Sequence, residues 1–312
     1  LLMNKKNVLS VKNLNKIYSK KSDKPIHAIN NLNLDVQEGE IFGLLGPNGA
    51  GKTTFINILA GTVIKTSGKV NVWGFDLDNN PRQVRASIGI VPQEVNLDPF
   101  FTPRKLLELQ AGLYGVKKKD RITDAILKLV SLEDHADSYA RSLSGGMKRR
   151  LLIAKSLVHQ PPIIILDEPT AGVDVRLRKN LWENVKLLHG QGVTIILTTH
   201  YLAEAEEMCD RIGILSKGNL VALDSTNNLL NKIQTKKVTF KLDKSAKIDT
   251  NKLSSLKVLS LKENEISLSY EKNRINMEEI INLIKKDNVR ILDISTEDGD
   301  LEDVFLRLTK NR

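Results

Sequence analysis

One stretch restricts the fold more than any other. Gly46-Pro47-Asn48-Gly49-Ala50-Gly51-Lys52-Thr53 lies between the apolar run Ile41–Leu45 and a helix-forming run from Lys52 to Ala60. The pattern G-x-x-x-x-G-K-[ST] carries meaning only after a strand and at the opening of a helix, and the sequence meets both conditions. Its glycines let backbone N–H groups turn inward around the phosphates of a nucleotide. Lys52 supplies a cation there, and Thr53 a hydroxyl for Mg²⁺. Thr54 adds a second hydroxyl at the start of the helix, suited to an α-phosphate.

The rest of the chain reads as α/β around that loop. Alternation at Val8–Val11 and Leu32–Val36 predicts antiparallel strands flanking a Lys- and Ser-rich loop, Ser19 to Pro25. Val70–Trp73 and Ile88–Val91 read as further strands. From Pro99 to Val158 apolar residues recur at helical spacing, which predicts a helical insertion over about 97–158. Ile163–Asp167, Arg176–Leu188, Val193–Thr198, Leu202–Met208 and Ile212–Leu215 then alternate strand and helix, the pattern of a parallel sheet wrapped by helices. Around Asn227–Thr235 the composition turns to Asn, Lys and Ser. Beyond it, residues 236–312 predict a small α+β domain appended to a nucleotide-binding domain over 5–230.

Several polar residues sit where that sheet would present them. Asp167 ends an apolar strand, where a carboxylate can orient Mg²⁺, and Glu168 follows at once, so two neighbours can divide the work between metal and general base. The plain alternative for Asp167-Glu168-Pro169 is a strand-ending turn. Ser144, followed by Gly145 and Gly146, reads as an N-cap opening a helix through Met147, Arg150, Leu151 and Ala154. Free N–H groups at such a start make an anion site, and the phosphates already have a loop of their own, so this one suits nucleotide across a dimer interface. A flexible hinge before a helix is the alternative. Gln93 follows a strand end and could reach Mg²⁺ or the attacking water, or be an ordinary loop amide. His200 ends another strand, on the edge of Asp167 if the sheet is parallel. Tyr18 could stack on adenine or cover a strand, and Asp174 would lie near the dimer seam.

Composition narrows the partners. Hydrophobic residues make up 41% of the chain and charged ones 27%, enough to bury a core. No apolar run approaches the ~18–20 residues that cross a bilayer, and Met3-Asn4-Lys5-Lys6 leads into no secretory segment. The single cysteine, Cys209, excludes an internal disulfide framework. The net charge of +10 is spread along the chain, and aromatics are only 4%, a poor match for stacking nucleic-acid bases.

Taken in order, the aromatic loop, phosphate loop, glutamine loop, Ser-Gly-Gly signature, Asp-Glu strand, Asp loop and switch histidine resemble the ATPase domain of ABC transporters. The resemblance covers residues 5–230. Leu143–Leu151, Thr198–Glu207 and Leu301–Leu308 look like ATPase subunits of bacterial ABC-2-type exporters. It implies a P-loop NTPase fold with a RecA-like parallel sheet, an antiparallel β subdomain and a helical subdomain. It further implies that Tyr18 stacks on adenine, that Lys52 and Thr53 hold phosphate and Mg²⁺, and that Gln93 senses nucleotide. Glu168 would polarise water and His200 contact the γ-phosphate, while Ser144, Gly145 and Gly146 close over ATP held by the partner. The expected protein is a Mg²⁺-dependent ATPase that forms a homodimer on ATP and drives a separate permease at the inner face of a bacterial cell membrane. The coupling surface is expected just after Gln93, at Asp98-Pro99-Phe100-Phe101, where core packing is the alternative for the two phenylalanines. A soluble ABC ATPase on ribosomes or DNA is the competing function. It is disfavoured by one motif set and by only about ninety residues between phosphate loop and signature. Met147 departs from the family, most of which carries glutamine there, and loses any amide hydrogen bond at that position.

Overall fold

The computed structural model describes residues 6–19, 25–171, 173, 175–231, 235–243, 256–271, 274–285 and 289–310. The alternation near the amino terminus becomes two long antiparallel strands, β1 (Asn7–Tyr18) and β2 (Ile26–Gln37). Val8, Val11, Leu14, Leu32, Leu34 and Val36 are buried along them. The register slips where Asn13 and Asn31 take positive φ of 50° and 48°, a conformation asparagine adopts more readily than most residues.

β3 (Ile41–Leu45) runs through the loop into α1 (Lys52–Leu59). β4 (Ser67–Val72) and β5 (Phe75–Asp76) complete an antiparallel sheet in the order β2-β1-β4-β5. α2 (Pro81–Ala86) leads into β6 (Ile88–Val91). The helical insertion follows as α3 (Pro103–Leu113), α4 (Thr123–Leu129) and α5 (Gly145–Leu157). Thr102 caps α3 by accepting a hydrogen bond from Lys105 N at 3.3 Å, with Pro103 at the first helical position. The chain then alternates as β7 (Ile163–Asp167), α6 (Val175–Gly190), β8 (Thr194–Thr199), α7 (Leu202–Met208) and β9 (Arg211–Ser216), and turns back into β10 (Asn219–Ser225).

The second sheet has the order β10-β9-β3-β8-β7-β6, parallel except for the β9–β10 hairpin. Every residue of β3, β7 and β8 is buried. Strands covered on both faces need uninterrupted apolar sequence, and Ile-Ile-Ile-Leu in β7 supplies it. The two sheets share a core in which Phe42, Leu44, Phe55, Ile165 and Ile196 meet Val11, Leu14, Val70 and Val72. Cys209 is buried and packs so tightly on β3 that a side-chain carbon at Gly43 would stand 2.8 Å from its Sγ. Burial pushes its thiol pKa up.

The chain divides between Ser225 and Thr226 into two compact units. The second begins with a helix, α8 (Thr226–Asn231), where the composition turns to Asn, Lys and Ser. It continues as β11 (Thr235–Leu242), β12 (Leu256–Lys262), β13 (Glu265–Glu271), α9 (Met277–Lys285), β14 (Ile291–Asp298) and α10 (Leu301–Lys310). Its antiparallel sheet, β12-β13-β11-β14, packs Val238, Phe240, Ile266 and Leu268 against Ile280 and Ile284 of α9. Those two isoleucines lie four apart, on one helical face. Among the described residues no helix is long and apolar enough to cross a membrane.

Candidate active site

Strands β3, β8, β7 and β6 are consecutive in the parallel sheet, and each ends at the same edge. The carboxyl edge of such a sheet is where loops converge on ligands. β3 delivers the glycine loop, β8 leads to His200, β7 delivers Asp167 and Glu168, and β6 leads to Gln93. A cleft of about 800 Å³ opens over this edge, within the range of ligand sites. Tyr18, Pro47, Asn48, Gly49, Ala50, Gly51, Lys52, Thr53, Thr54, Gln93, Glu168 and His200 all line it.

Local geometry explains the loop's glycines. A side chain at Gly46 would stand 2.5 Å from Leu215 O on β9, and one at Gly51, where φ is +110°, would collide with the carbonyl oxygen of Ala28. Lys52 is 5% exposed, with Nζ donating to Gly46 O at 2.5 Å and to Pro47 O at 3.4 Å. The ammonium is thus held at the floor of the loop, 3.6 Å from Glu168 Oε1. Thr53 is exposed and Thr54 half-buried at the mouth of α1.

The two carboxylates part company through the backbone. Glu168 has φ of +44°, a left-handed conformation that costs a non-glycine residue about 1–2 kcal/mol. Its N–H is fastened to Thr198 O at 3.0 Å and to Thr198 Oγ1 at 3.1 Å. The same hydroxyl donates to Asp167 Oδ1 at 2.6 Å. Asp167 is therefore held back against β8, while Glu168 reaches the cleft. There Glu168 Oε2 accepts from Gln93 Nε2 at 3.2 Å and meets His200 Nδ1 at 3.1 Å. A carboxylate only accepts, so Nδ1 is the donor in this contact and Nε2 is left for the cleft.

Burial raises the Asp167 pKa above the usual carboxylate value. The charge of Glu168 raises it further, while the Thr198 hydrogen bond, Lys52 and Arg149 pull it down. A carboxyl whose folded pKa is raised binds its proton more tightly when folded. Its burden on stability is absent below the unfolded value of 3.8 and grows as pH rises through the folded value. Asp167→Asn keeps the oxygen that accepts from Thr198 and removes that burden. The nucleotide-free variant is expected to melt above the parent at pH 7.5, and no longer to do so near pH 3.5, as read by calorimetry.

A divalent cation fits this donor set. Among the described residues no group of three or more His, Cys, Asp or Glu side chains could hold a metal alone. Mg²⁺ commonly leans on one or two protein oxygens plus substrate phosphates and water, rather than on an all-protein cage. Thr53 and Gln93 at the cleft, with the restrained Asp167 carboxylate behind them, supply donors of that kind.

Ser144 is the N-cap of the thirteen-residue α5, its hydroxyl accepting from Met147 N at 3.3 Å. That bond uses the backbone of residue 147, so the methionine side chain leaves it intact. Ser144 and Gly145 are exposed, Gly146 is buried, and none of the three lines the cleft. The N–H groups of Gly145 and Gly146, in the first turn, have no partner within the helix. Asp174 lies outside the described residues.

Sequence reading missed Ile26, His27, Ala28 and Lys217, which complete the cleft from β2 and the β9–β10 turn. It also missed Glu204 on α7. Its buried carboxylate accepts from Thr170 Oγ1 at 2.7 Å and pairs with Arg178 at 3.2 Å, joining the helix after His200 to the turn after Glu168. A carboxylate beside Ala205 and Met208, both buried, was the available signal.

A phosphate loop, a tandem carboxylate and a polar residue at each neighbouring strand end define a nucleotide-hydrolysing site of the P-loop class. The family model described as "ABC transporter" matches residues 29–171. The linearmycin resistance ATP-binding protein LnrL of Bacillus subtilis is 31% identical over 313 residues, covering 97% of this chain and 98% of that protein. A Nod factor export ATP-binding protein I from a Rhizobium species is 42% identical over 204 residues, 65% of this chain and 67% of that one. Among solved structures, an ATP-binding subunit of an ABC transporter aligns with a TM-score of 0.63 and 28% identity, over 72% of this chain and 92% of the other. A dimeric ATP-binding cassette in a post-hydrolysis state with ADP and Pi aligns at 0.62 and 29%, over 70% and 98%. The chain belongs to the ABC transporter family, as one of its ATP-hydrolysing subunits.

Proposed function

We propose that this chain powers export through a separate membrane permease of the ABC-2 type, two copies closing over two Mg-ATP. The observation that carries the reading is the convergence of Lys52, Gln93, Glu168 and His200 on one cleft at the sheet edge. Tyr18, 39% exposed and with Lys16 Nζ 4.6 Å above its ring, offers a face for adenine. The loop N–H groups and Lys52 take the phosphates, and Thr53, Gln93 and Asp167 hold Mg²⁺. The ion neutralises phosphate charge when bound. Glu168 accepts a proton from water, and His200, with a proton on each ring nitrogen, donates from Nε2 to the γ-phosphate.

Ser144 and Gly145 lie exposed, and neither they nor Gly146 line their own cleft, which supports the use of this turn on nucleotide held by a second copy. The relative that is a dimeric cassette with ADP and Pi supports the same assembly. Asp174 is assigned to that seam by its position in sequence. Domain limits of 5–230 for the ATPase and 236–312 for the accessory part are retained as the functional division. Export rests on the names of the relatives, a linearmycin resistance protein and a Nod factor export protein. A peripheral position on the cytoplasmic side of the membrane follows from that partnership.

Phe100 is 68% exposed, while Phe101 is half-buried and its carbonyl accepts from Ala140 N at 2.8 Å. The exposed ring marks the surface for the permease. Co-purification from membranes of the native host is the test: a multi-spanning partner at equal stoichiometry supports the reading, and a ribosomal or soluble partner overturns it. Phe100→Ala is expected to weaken that association about tenfold or more while basal ATPase stays near the parent's, since an aromatic anchor commonly contributes 1–2 kcal/mol or more.

A further inference from the structure

Arg149 is 4% exposed, yet none of its hydrogen bonds goes to a charged group. Its guanidinium donates only to main-chain carbonyls. Nε reaches Pro169 O at 2.8 Å and Nη2 reaches Glu168 O at 3.1 Å. Nη1 reaches Gln93 O at 2.5 Å and Pro92 O at 3.2 Å. One planar fork therefore binds two loops, the one that carries Glu168 and the one that carries Gln93. Desolvating a cation against neutral acceptors is a poor route to stability, because apolar packing of equal volume does as well or better. What the fork gives is geometry. It takes up the carbonyl of Glu168, the residue held at positive φ, whose N–H is held by the Thr198 clamp.

Arg149 sits five residues beyond the N-cap Ser144, so its backbone and the signature turn ride on one rod, roughly 7–8 Å apart along the axis. A displacement of the helix start is carried to both loops by hydrogen bonds, with no flexible segment between. We propose that Arg149 is a positioning residue that relays closure of Ser144-Gly145-Gly146 on a second copy's nucleotide to Glu168 and Gln93 of its own subunit. The inference rests on the two-copy reading given above. It makes each site's water-polarising carboxylate answer to the nucleotide in the other site, and ATP hydrolysis positively cooperative.

The test uses the full chain with Arg149→Lys, which keeps the charge but not the fork, and Arg149→Gln, which keeps a single planar amide. ATP affinity of each variant is expected to stay within about threefold of the parent's. Their kcat is expected to fall by about 10²-fold, the scale of a misplaced catalytic group, and the Hill coefficient to fall towards unity. A lowered melting temperature with unchanged kcat and Hill coefficient overturns the proposal and leaves Arg149 a structural residue. ATP-dependent dimerisation of Glu168→Gln, followed by light scattering, isolates the underlying assumption. A monomer there overturns the two-copy reading, whereas a dimer with non-cooperative parent kinetics overturns the relay alone. Should neither Arg149 variant fold, hydrogen exchange on the parent decides. The amides of residues 93, 94, 168, 170 and 171 gain protection together with the first turn of α5 on adding a non-hydrolysable ATP analogue, and protection of α5 without theirs overturns the relay.

Discussion

Glu168→Gln is expected to lower steady-state ATP turnover by about 10²–10⁴-fold, the range of a positioned general base, while nucleotide still binds. The substitution is close to isosteric. Its amide oxygen can still accept from Gln93, now at 3.2 Å, or face His200, now at 3.1 Å. What disappears is the negative charge, and with it the ability to take a proton from water. Loss of that charge also removes repulsion against triphosphate in a cleft that holds Asp167 next door, so ATP affinity is expected to match or exceed the parent's. Phosphate release and equilibrium titration with ATP read the two effects separately. Turnover within about threefold of the parent would remove Glu168 from the chemistry, since a general base contributes far more than that.

Lys52→Met is expected to weaken ATP binding by about 10²-fold, because charge-assisted hydrogen bonds contribute about 1.5–3 kcal/mol each and tenfold in affinity is 1.4 kcal/mol. Methionine keeps the buried stem against α1 and removes only the ammonium. That ammonium now sits between Gly46 O and Glu168, so the loop loses the cation that its own carbonyls hold in readiness for phosphate. The comparison that matters is ATP against adenosine. Adenosine affinity should be unaffected, since nothing near Tyr18 changes. Equal losses for both ligands would point to a collapsed loop rather than to a missing phosphate contact.

Much of this site could be read from sequence because its parts obey local rules. The phosphate loop needs glycine at positions of close approach and positive φ, and Gly46 and Gly51 occupy them. Asp167 and His200 follow runs of buried β residues, and a parallel sheet then brings their ends together, Asp167 opposite Thr198. Ser144 caps α5 by a rule that spans three residues. What stayed hidden depends on distant partners. The Thr198 hydroxyl serves Asp167 and Glu168 across two strands, and no spacing announces it. The left-handed turn at Glu168 has no glycine to advertise it. His27 and Lys217 reach the cleft from segments nearly 200 residues apart. Arg149, inside a basic run, looks like a solvated cation until the loops around it are in place. The helix α8 was equally hidden, because Thr226-Asn227-Asn228 is composition typical of a turn and Leu229 decides otherwise by its complete burial.

The tight contact between Gly43 and Cys209 bears on how closure could be watched. The chain's one thiol is wedged against a strand, and its burial disfavours the thiolate that alkylating reagents need. A reporter cysteine can therefore be introduced elsewhere without first removing the native one. Gly145 accepts a side chain with nothing within 4 Å. The rate at which a maleimide reacts there, with and without a non-hydrolysable ATP analogue, would report how far the signature turn is covered when two copies dock.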